Sequence, residues 1–300
     1  MMRRLLPTLL LPLAASVSAA TNERFFDDFS YADRAAFEAA GWQVRAAAGH
    51  PGVPGATWRP EAVRFKADGE ASGNQLLELT AQTDGSAAGT VQAQVCQARK
   101  FLEGTYAARL RFVDVPVSGP SGDAVIQAFY AVAPLRFAFD PEFSELDWEY
   151  LPNGGWGSPQ TRLYSITWQT VRIDPWLAYN QPTETAGKLA GWHVLVMQVA
   201  EGRTRWYLDG RQVATHGGRN YPVVPMSINF SLWFSEGQLL PETAGLRRYA
   251  QQIDWVFHAR NSVLSPEAVL DEVSRYRQTG AARVDTVPGP TPPLPAACDI

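Results

Sequence analysis

The stretch SELDWEYLPNGGWG, residues 144–157, carries the strongest pattern in this sequence. Its first part alternates acidic and apolar side chains, in the order Glu145, Leu146, Asp147, Trp148, Glu149, Tyr150. Successive side chains of a β-strand point to opposite faces, so this order predicts a strand with three acids on one face. Neighbouring acids would lie about 6.6 Å apart at Cα, where like charges repel and resist ionising together. The pattern therefore predicts a strand. It also predicts that three acids lie close together on one face, which requires an explanation.

The composition indicates a slightly acidic, aromatic-rich β protein. The 300 residues carry a formal net charge of −4, which argues against a nucleic-acid binder. They include 10 Trp, 10 Tyr and 14 Phe, and the 24 Gly and 22 Pro often fall in short clusters. This distribution is typical of short strands joined by turns, and a single all-β domain of about 240 residues is allowed by the length.

The first 20 residues predict a secretory signal peptide. Arg3 and Arg4 precede the apolar run LLPTLLLPLAA, and small residues then offer cleavage near Ala19 or Ala20. Two prolines interrupt the run, which is too short to span a membrane comfortably, although an uncleaved anchor is the alternative. No later run approaches 18 apolar residues, so we expect a secreted protein without a membrane span.

Short apolar runs continue along the chain. DAVIQAFYAV is apolar on both faces and predicts a central strand, and VLVMQVAEGRTRWYLDG predicts a hairpin. Turn signals such as PNGG and HGGRN separate the later runs. Many short strands without long helical periods predict an antiparallel sandwich or barrel.

One helix is predicted near the end of the chain. Ser265 can cap it, Pro266 suits its first turn, and Val269 and Val273 share a face. The remainder, DTVPGPTPPLPAACDI, is Pro-rich and predicts an extended or disordered tail. The predicted divisions are a signal peptide at 1–20, a β domain at 21–262, and the helix and tail at 263–300.

The cysteines and histidines exclude several kinds of site. Export permits a disulfide between Cys96 and Cys298, but one pair is no framework, so their pairing stays open. The motifs CxxC, HExxH, GxSxG and GxxxxGK are absent, and the four histidines lie at no metal-ligand spacing. Zinc hydrolysis, the α/β-hydrolase triad and P-loop chemistry therefore lack support.

Two explanations compete for the acid row, by which we mean Glu145, Asp147 and Glu149. The row can be an ordinary solvent-exposed strand face, or it can serve glycoside hydrolysis. Retaining hydrolysis needs two carboxyl groups about 5–5.5 Å apart. Strand positions 145 and 149 lie about 13 Å apart at Cα, and leaning side chains can close much of that gap. The middle acid would then hydrogen-bond the nucleophile, and crowding would raise one pKa, as a general acid requires.

The segment ELDWE matches the E-x-D-x-E motif, and the chain resembles glycoside hydrolase family 16. This family includes lichenases, laminarinases, agarases, carrageenases and xyloglucan-active enzymes, and the spacing here is similar to that of lichenases and xyloglucan-active enzymes. The resemblance extends in order through GATWRPEAVRF, FLEGTYAARLRF, GWHVLVMQVAEGRTRWYLDGRQV, PMSINFSLWF and QQIDWVFHA.

The resemblance implies a concanavalin A-like jelly roll of two curved antiparallel sheets over residues 21–262. It implies a secreted, retaining endo-glycoside hydrolase that acts on a β-linked polysaccharide, β-glucan-like, as a monomer. Glu145 would be the nucleophile, Asp147 the assisting acid and Glu149 the general acid/base. A transglycosylase of the same mechanism is a close variant, and a non-catalytic carbohydrate-binding jelly roll is the alternative from another class.

Weaker expectations concern substrate and metal binding. By resemblance, Trp233, Trp58 and Arg59 would bind substrate in the cleft, although each tryptophan can instead belong to the core. No cofactor is required, and Asp254 is a weak candidate ligand for a structural calcium ion. Two departures leave the substrate open, because Cys96 stands where lichenases have a cleft arginine and the PNGGWG loop differs from theirs.

Overall fold

The computed structural model describes residues 22–296 and residue 298, so the predicted signal peptide at 1–20 lies outside the described residues. The described chain is mostly antiparallel β-structure. The strands are β1 (Arg24–Asp27), β2 (Trp42–Val44), β3 (Thr57–Trp58), β4 (Val63–Ala67), β5 (Gln75–Thr83), β6 (Val91–Gln97), β7 (Gly104–Phe112), β8 (Val125–Val132), β9 (Glu145–Leu151), β10 (Arg162–Arg172), β11 (Leu177–Ala186), β12 (Gly191–Ala200), β13 (Arg203–Leu208), β14 (Arg211–Gly217), β15 (Ser227–Phe234), β16 (Arg247–Arg260) and β17 (Arg283–Asp285). The helices are α1 (Arg34–Ala39) and α2 (Pro266–Gln278), with 3₁₀ turns at Pro60–Ala62, Gly218–Asn220 and Glu242–Ala244.

The strands form two sheets. The front sheet has the order β2–β6–β15–β8–β9–β10–β11. The back sheet has the order β14–β13–β12–β7–β16, and β16 also pairs with β5 and β1. Strand β6 additionally contacts β5 and β3, which links the two sheets. The predicted antiparallel sandwich is confirmed, as are the central position of β8 and the β12–β13 hairpin.

The core lies between the sheets and takes up the apolar face of β9. Leu146, Trp148 and Tyr150 are all fully buried there. The ring of Trp148 meets Trp206 of the back sheet edge-on, with 5.1 Å between centroids, and Tyr150 packs on Phe112 at 4.6 Å. Burying side chains of this size stabilises the fold by about 1.5–3 kcal/mol each. This packing fixes which face of β9 points inward, and the acids must take the other face.

The predicted C-terminal helix is confirmed as α2. The Ser265 hydroxyl accepts a hydrogen bond from the Ala268 N–H at 3.2 Å, which satisfies one free donor of the first turn. Val269 and Val273 are buried against apolar residues of the back sheet, including Trp255 and Phe257. The helix therefore covers the outer surface of the back sheet and lies away from the acid row.

The chain after α2 is ordered, and the alternative of a disordered tail is wrong for the described residues. Strand β17 pairs with β1, and Val287 is buried. Beyond it, Cys298 forms a disulfide with Cys96 of β6, with 5.4 Å between the Cα atoms. A β-ladder, a buried side chain and a covalent bond together anchor this segment to both sheets.

Candidate active site

The acid row lies in the middle of the front sheet. Strand β9 pairs with β8 on one side and with β10 on the other. Side chains directly opposite one another in paired strands share a face, so the pairing gives each acid its neighbours. These are Val132 and Trp168 beside Glu145, Tyr130 and Ile166 beside Asp147, and Ala128 and Tyr164 beside Glu149.

The three acids line one cavity of about 650 Å³. Aromatic rings supply much of its wall, namely Tyr130, Trp156, Tyr164, Trp168, Trp176 and Trp233. Polar side chains supply further groups, namely His50, Asn180, Glu184, Ser231, Ser235 and Glu236. A concave site with aromatic walls and a few convergent polar groups is typical of small-molecule and sugar binding.

The acids are not a solvent-exposed strand face, so that explanation is wrong. Glu145 is 7% exposed and Asp147 is 4% exposed, and Glu149 is partly buried. Unpaired buried charge is expensive, and ordinary surface acids on a wet sheet face do not incur this cost. Within residues 22–296, none of the ion pairs includes any of these three carboxyl groups.

Hydrogen bonds from two tryptophans hold the row. The Trp168 indole N–H donates to Asp147 Oδ2 at 2.5 Å, and the Trp156 indole N–H donates to Glu149 Oε2 at 2.9 Å. A further side-chain hydrogen bond joins Asp147 to Glu145. The carboxyl groups are thus positioned by neutral indole donors and by one another, and not by an ion pair with a described arginine or lysine.

Burial raises the pKa of every acid in the row. It raises the pKa of Glu145 to about 8, and the like charge of Glu149 adds to the effect. It raises the pKa of Glu149 to about 7, which the hydrogen bond from Trp156 opposes. The pKa of Asp147 lies well above its usual range because of burial and both neighbouring acids. The row therefore retains protons at neutral pH, and a protonated Asp147 can donate its hydrogen bond to Glu145.

Trp233 lies where the sequence predicts it, on the cavity wall. It is 7% exposed, and its ring centroid is 5.7 Å from that of Trp156, which is 42% exposed. The two rings form an aromatic corner beside Glu149. Sugar faces stack on such rings in many proteins, and a substrate-binding role for Trp233 stays a prediction.

Trp58 and Arg59 are not among the residues that line this cavity, and a substrate-binding role for them stays a prediction. Trp58 is buried, its indole N–H points to the Gly49 carbonyl at 3.4 Å, and the guanidinium of Arg45 stacks over its ring at 4.1 Å. Arg59 is exposed and lies along a separate groove that exposed side chains of the back sheet line. Side chains 58 and 59 point to opposite faces of one extended segment, so at most one of them can face the cleft.

Asp254, the candidate calcium ligand, is bonded to two arginine side chains. Its two oxygens accept from the Arg109 and Arg277 guanidinium groups, each at 2.6 Å, and Asn74 donates to it at 2.8 Å. Two guanidinium groups would repel a dication at this carboxylate. In the described part of the chain, no cluster of three or more His, Cys, Asp or Glu residues could hold a metal ion.

Most of the cavity wall was not predicted from the sequence, and His50, Trp168 and Trp176 are examples. Trp168 becomes visible only once β10 is paired with β9 in the observed register, which sets it opposite Glu145. His50 and Trp176 lie on loops, with 6.0 Å between their ring centroids. Nothing in the local sequence indicates that these loops meet.

Cys96, which stands at the expected place of a cleft arginine, belongs to the same cross-strand row as Asp147. The pairing runs from Cys96 through Asn229 and Tyr130 to Asp147. Cys96 is fully buried and forms a disulfide with Cys298. Neither cysteine lines the cavity. The disulfide therefore holds Cys298 against the front sheet at the far end of this row.

Solved structures of glycoside hydrolases share this architecture. The β-glucanase of Bacillus licheniformis aligns over 80% of this chain and 100% of its own, with 16% identity and a TM-score of 0.56. A glycoside hydrolase family 16 endo-glucanase from Bacteroides ovatus aligns over 77% of this chain and 98% of its own, with 15% identity and a TM-score of 0.59. An endo-acting O-glycanase from the human gut microbiota, of a group that initiates mucin breakdown, aligns over 88% and 95%, with 14% identity and a TM-score of 0.56. The chain has the jelly-roll fold of these enzymes.

This likeness confirms the predicted fold class, and at such low identity it is a likeness of fold alone. No family model matches the sequence, and no curated protein is similar to it at a significant level. The activity must therefore be argued from the acid row and its cavity.

Proposed function

We propose that the protein is a retaining endo-glycoside hydrolase of the family 16 type, which cleaves a β-linked, β-glucan-like polysaccharide. The observation that carries this proposal is the buried acid row, which has raised pKa values, no cationic partner and an aromatic cavity around it. Surface charge and structural ion pairing both fail to account for such a row. The shared fold of glycoside hydrolases adds support.

In the proposed first step, Glu145 and Glu149 act together. A Glu145 carboxylate oxygen attacks the anomeric carbon, and the glycosidic C–O bond breaks. Glu149 gives its proton to the departing oxygen, which suits a carboxyl group whose pKa is raised to about 7. Glu145 must lose its proton before it attacks, and the hydrogen bond that Asp147 donates to it stabilises the ionised form.

In the proposed second step, water releases the sugar from Glu145. The Glu149 carboxylate takes a proton from the water, the water oxygen attacks the anomeric carbon, and the bond to Glu145 breaks. A sugar hydroxyl could replace the water, and the enzyme would then be a transglycosylase of the same mechanism. The aromatic corner of Trp156 and Trp233 would hold a sugar ring beside Glu149.

The test is a panel of β-glucans, galactans and xyloglucan, with reducing ends measured for the wild type and for Glu149→Ala. We expect the wild type to release reducing ends from a β-glucan with retained anomeric configuration in proton NMR. Glu149→Ala should be slow on polysaccharide but should cleave an activated aryl glycoside, and azide should restore its second step. Clean inversion would reject the double displacement. Binding without any turnover would favour the carbohydrate-binding alternative.

We also propose that the protein is exported after cleavage near Ala19 or Ala20. The disulfide between Cys96 and Cys298 supports an oxidising compartment, because such bonds persist mainly outside the cytosol. Among the described residues there is no helix of the length and apolarity that crossing a membrane requires. The intact mass of the exported protein should match a chain that starts near residue 20 or 21, without free thiols.

A further inference from the structure

The loop after β9 holds Trp156 in an unusual backbone conformation. Gly154, Gly155, Trp156 and Gly157 all have positive φ, with a value of 51° at Trp156. Glycine adopts such values readily, but they are unfavourable for a bulky side chain. Conformations of this kind persist only where the surroundings impose them, and they cluster at functional sites.

The rest of the loop is built tightly around this position. Gly155 and Ser158 exchange backbone hydrogen bonds of 2.8 and 2.9 Å. Gly155 has a φ of 148°, which other residues rarely adopt, and a Cβ atom there would come within 2.2 Å of Leu151 Cδ2, so the position favours glycine. The loop thus closes against the end of β9 and presents Trp156 at its tip, over the cavity.

The side chain of Trp156 makes a specific contact in the cavity. Its Nε1 lies 2.9 Å from Glu149 Oε2, and its ring packs beside Trp233. An indole N–H is a donor only, so Oε2 must accept. When Glu149 is protonated, this contact favours a proton on Oε1, because the carbonyl oxygen of a carboxylic acid accepts a hydrogen bond better than its hydroxyl oxygen. When Glu149 is ionised, the same N–H stabilises the negative charge.

We propose that Trp156 is a positioning residue for Glu149, which fixes the acid proton on Oε1 and stabilises the carboxylate that forms when this proton leaves. The proposal rests on the proposed function, in which Glu149 is the acid/base. In the first step the proton would leave from Oε1 alone, so a single oxygen must face the departing group. In the second step the Trp156 N–H would keep the same carboxylate in place for the water.

Among the described residues, Trp156 is the side chain that donates a hydrogen bond to Glu149. The ionisable groups that face it or line the same cavity are Glu145, Asp147, Tyr130, Arg162, Tyr164, Glu184, Glu236 and His50. Burial raises the pKa of Glu149, and the hydrogen bond from Trp156 is the interaction that lowers it. Removing the N–H should therefore raise this pKa further.

The test is a ¹³C NMR titration of the Glu149 carboxyl group, assigned by its absence in Glu149→Gln. Trp156→Phe keeps a ring but lacks the N–H, and we expect it to raise the pKa of Glu149 by about one unit. The basic limb of the kcat/KM profile should move up by the same amount, because the acid stays protonated to higher pH. Trp233→Phe is the matched control, which changes the neighbouring ring and should leave the pKa of Glu149 in place.

An unchanged pKa in Trp156→Phe would overturn the proposal, and so would an equal change in Trp233→Phe. The titration needs no turnover, so it separates this proposal from the proposed function. Full activity in Glu149→Gln would sink the acid/base role even if the titration moved as expected. A second variant, Trp156→Gly, relieves the backbone at φ 51° and should keep or raise the melting temperature while it raises the same pKa.

Discussion

Two groups of buried acids in this molecule differ in their hydrogen-bond partners. Asp123 is fully buried, and the guanidinium of Arg247 donates to its two oxygens at 2.6 and 3.0 Å, with Tyr249 donating as well. Asp254 is fully buried and bonded by two arginines. The hydrogen-bond partners of the acid row are instead tryptophan N–H groups and the other members of the row.

A third paired acid, Asp140, shows how a cationic partner changes a carboxyl pKa. Bonding by the Arg136 guanidinium lowers the pKa of Asp140 to about 2, whereas burial without a cation raises the pKa of Glu149 to about 7. A guanidinium partner favours the ionised form of an acid, and such a pair contributes to the stability of the fold. An unpaired buried acid can gain and lose a proton near neutral pH, which is what acid/base chemistry needs. The comparison therefore predicts that removing the two kinds of acid has opposite effects.

The largest expected effect is on turnover. Glu145→Gln removes the proposed nucleophile, and kcat on the preferred glucan should fall by roughly 10⁴-fold, because the covalent route is lost. The matched control is Glu201→Gln, which changes an exposed glutamate in the β12–β13 turn and should turn over normally. Near-normal turnover by Glu145→Gln would contradict a catalytic role for the acid row.

The largest expected effect on stability comes from the paired acids. Asp123→Asn leaves the fully buried Arg247 charge without its partner, and the free energy of unfolding should fall by about 3–5 kcal/mol. Urea denaturation measures this difference. Adding Arg247→Met should recover part of the loss, since the uncompensated charge is then gone. A loss below 1 kcal/mol for Asp123→Asn would show that the pair does not support the fold.

Glu145→Gln should instead stabilise the protein, and only above acidic pH. The pKa of Glu145 is raised from 4.5 to about 8, so the folded state holds a proton that the unfolded chain releases. The stability of the wild type therefore falls as pH rises from about 4.5 to 8. Glutamine does not titrate, and the variant should gain roughly 2–4 kcal/mol at pH 8 and almost nothing at pH 4.5. Unfolding curves of both proteins across this range test the sign, and parallel pH dependences would contradict it.

Much of the comparison was accessible from sequence because it follows alternation. The order of residues 145–150 placed the acids on one face and Leu146, Trp148 and Tyr150 in the core, and the structure confirms both faces. The cap and the apolar spacing of α2 were equally local signals. Patterns of this kind depend on the geometry of one element, which is why they can be predicted.

What was missed depends on long-range contacts. Strand β11 is polar, mostly exposed and contains Pro182, so it lacks a strand pattern, and only its position at the sheet edge permits the proline. The six-residue helix α1 was also missed. Trp168 reaches Asp147 from another strand, and Cys298 returns over 202 residues to Cys96. These contacts are set by register and by packing, which a local pattern does not contain.

The smallest expected effect sharpens the comparison within the acid row itself. Asp147 accepts from the Trp168 N–H and shares a hydrogen bond with Glu145, and burial keeps its pKa well above the usual range. Asn reproduces a protonated aspartate here, because its carbonyl can accept from Trp168 while its amide N–H donates to Glu145. Asp147→Asn should therefore change the free energy of unfolding by less than about 1 kcal/mol, while Asp147→Leu, of similar size, should lose about 1–3 kcal/mol through unsatisfied neighbours. Urea denaturation of the two variants at pH 7 measures the contrast. Equal losses of unfolding free energy in both variants would mean that Asp147 is ionised in the resting protein and does not donate a hydrogen bond to Glu145.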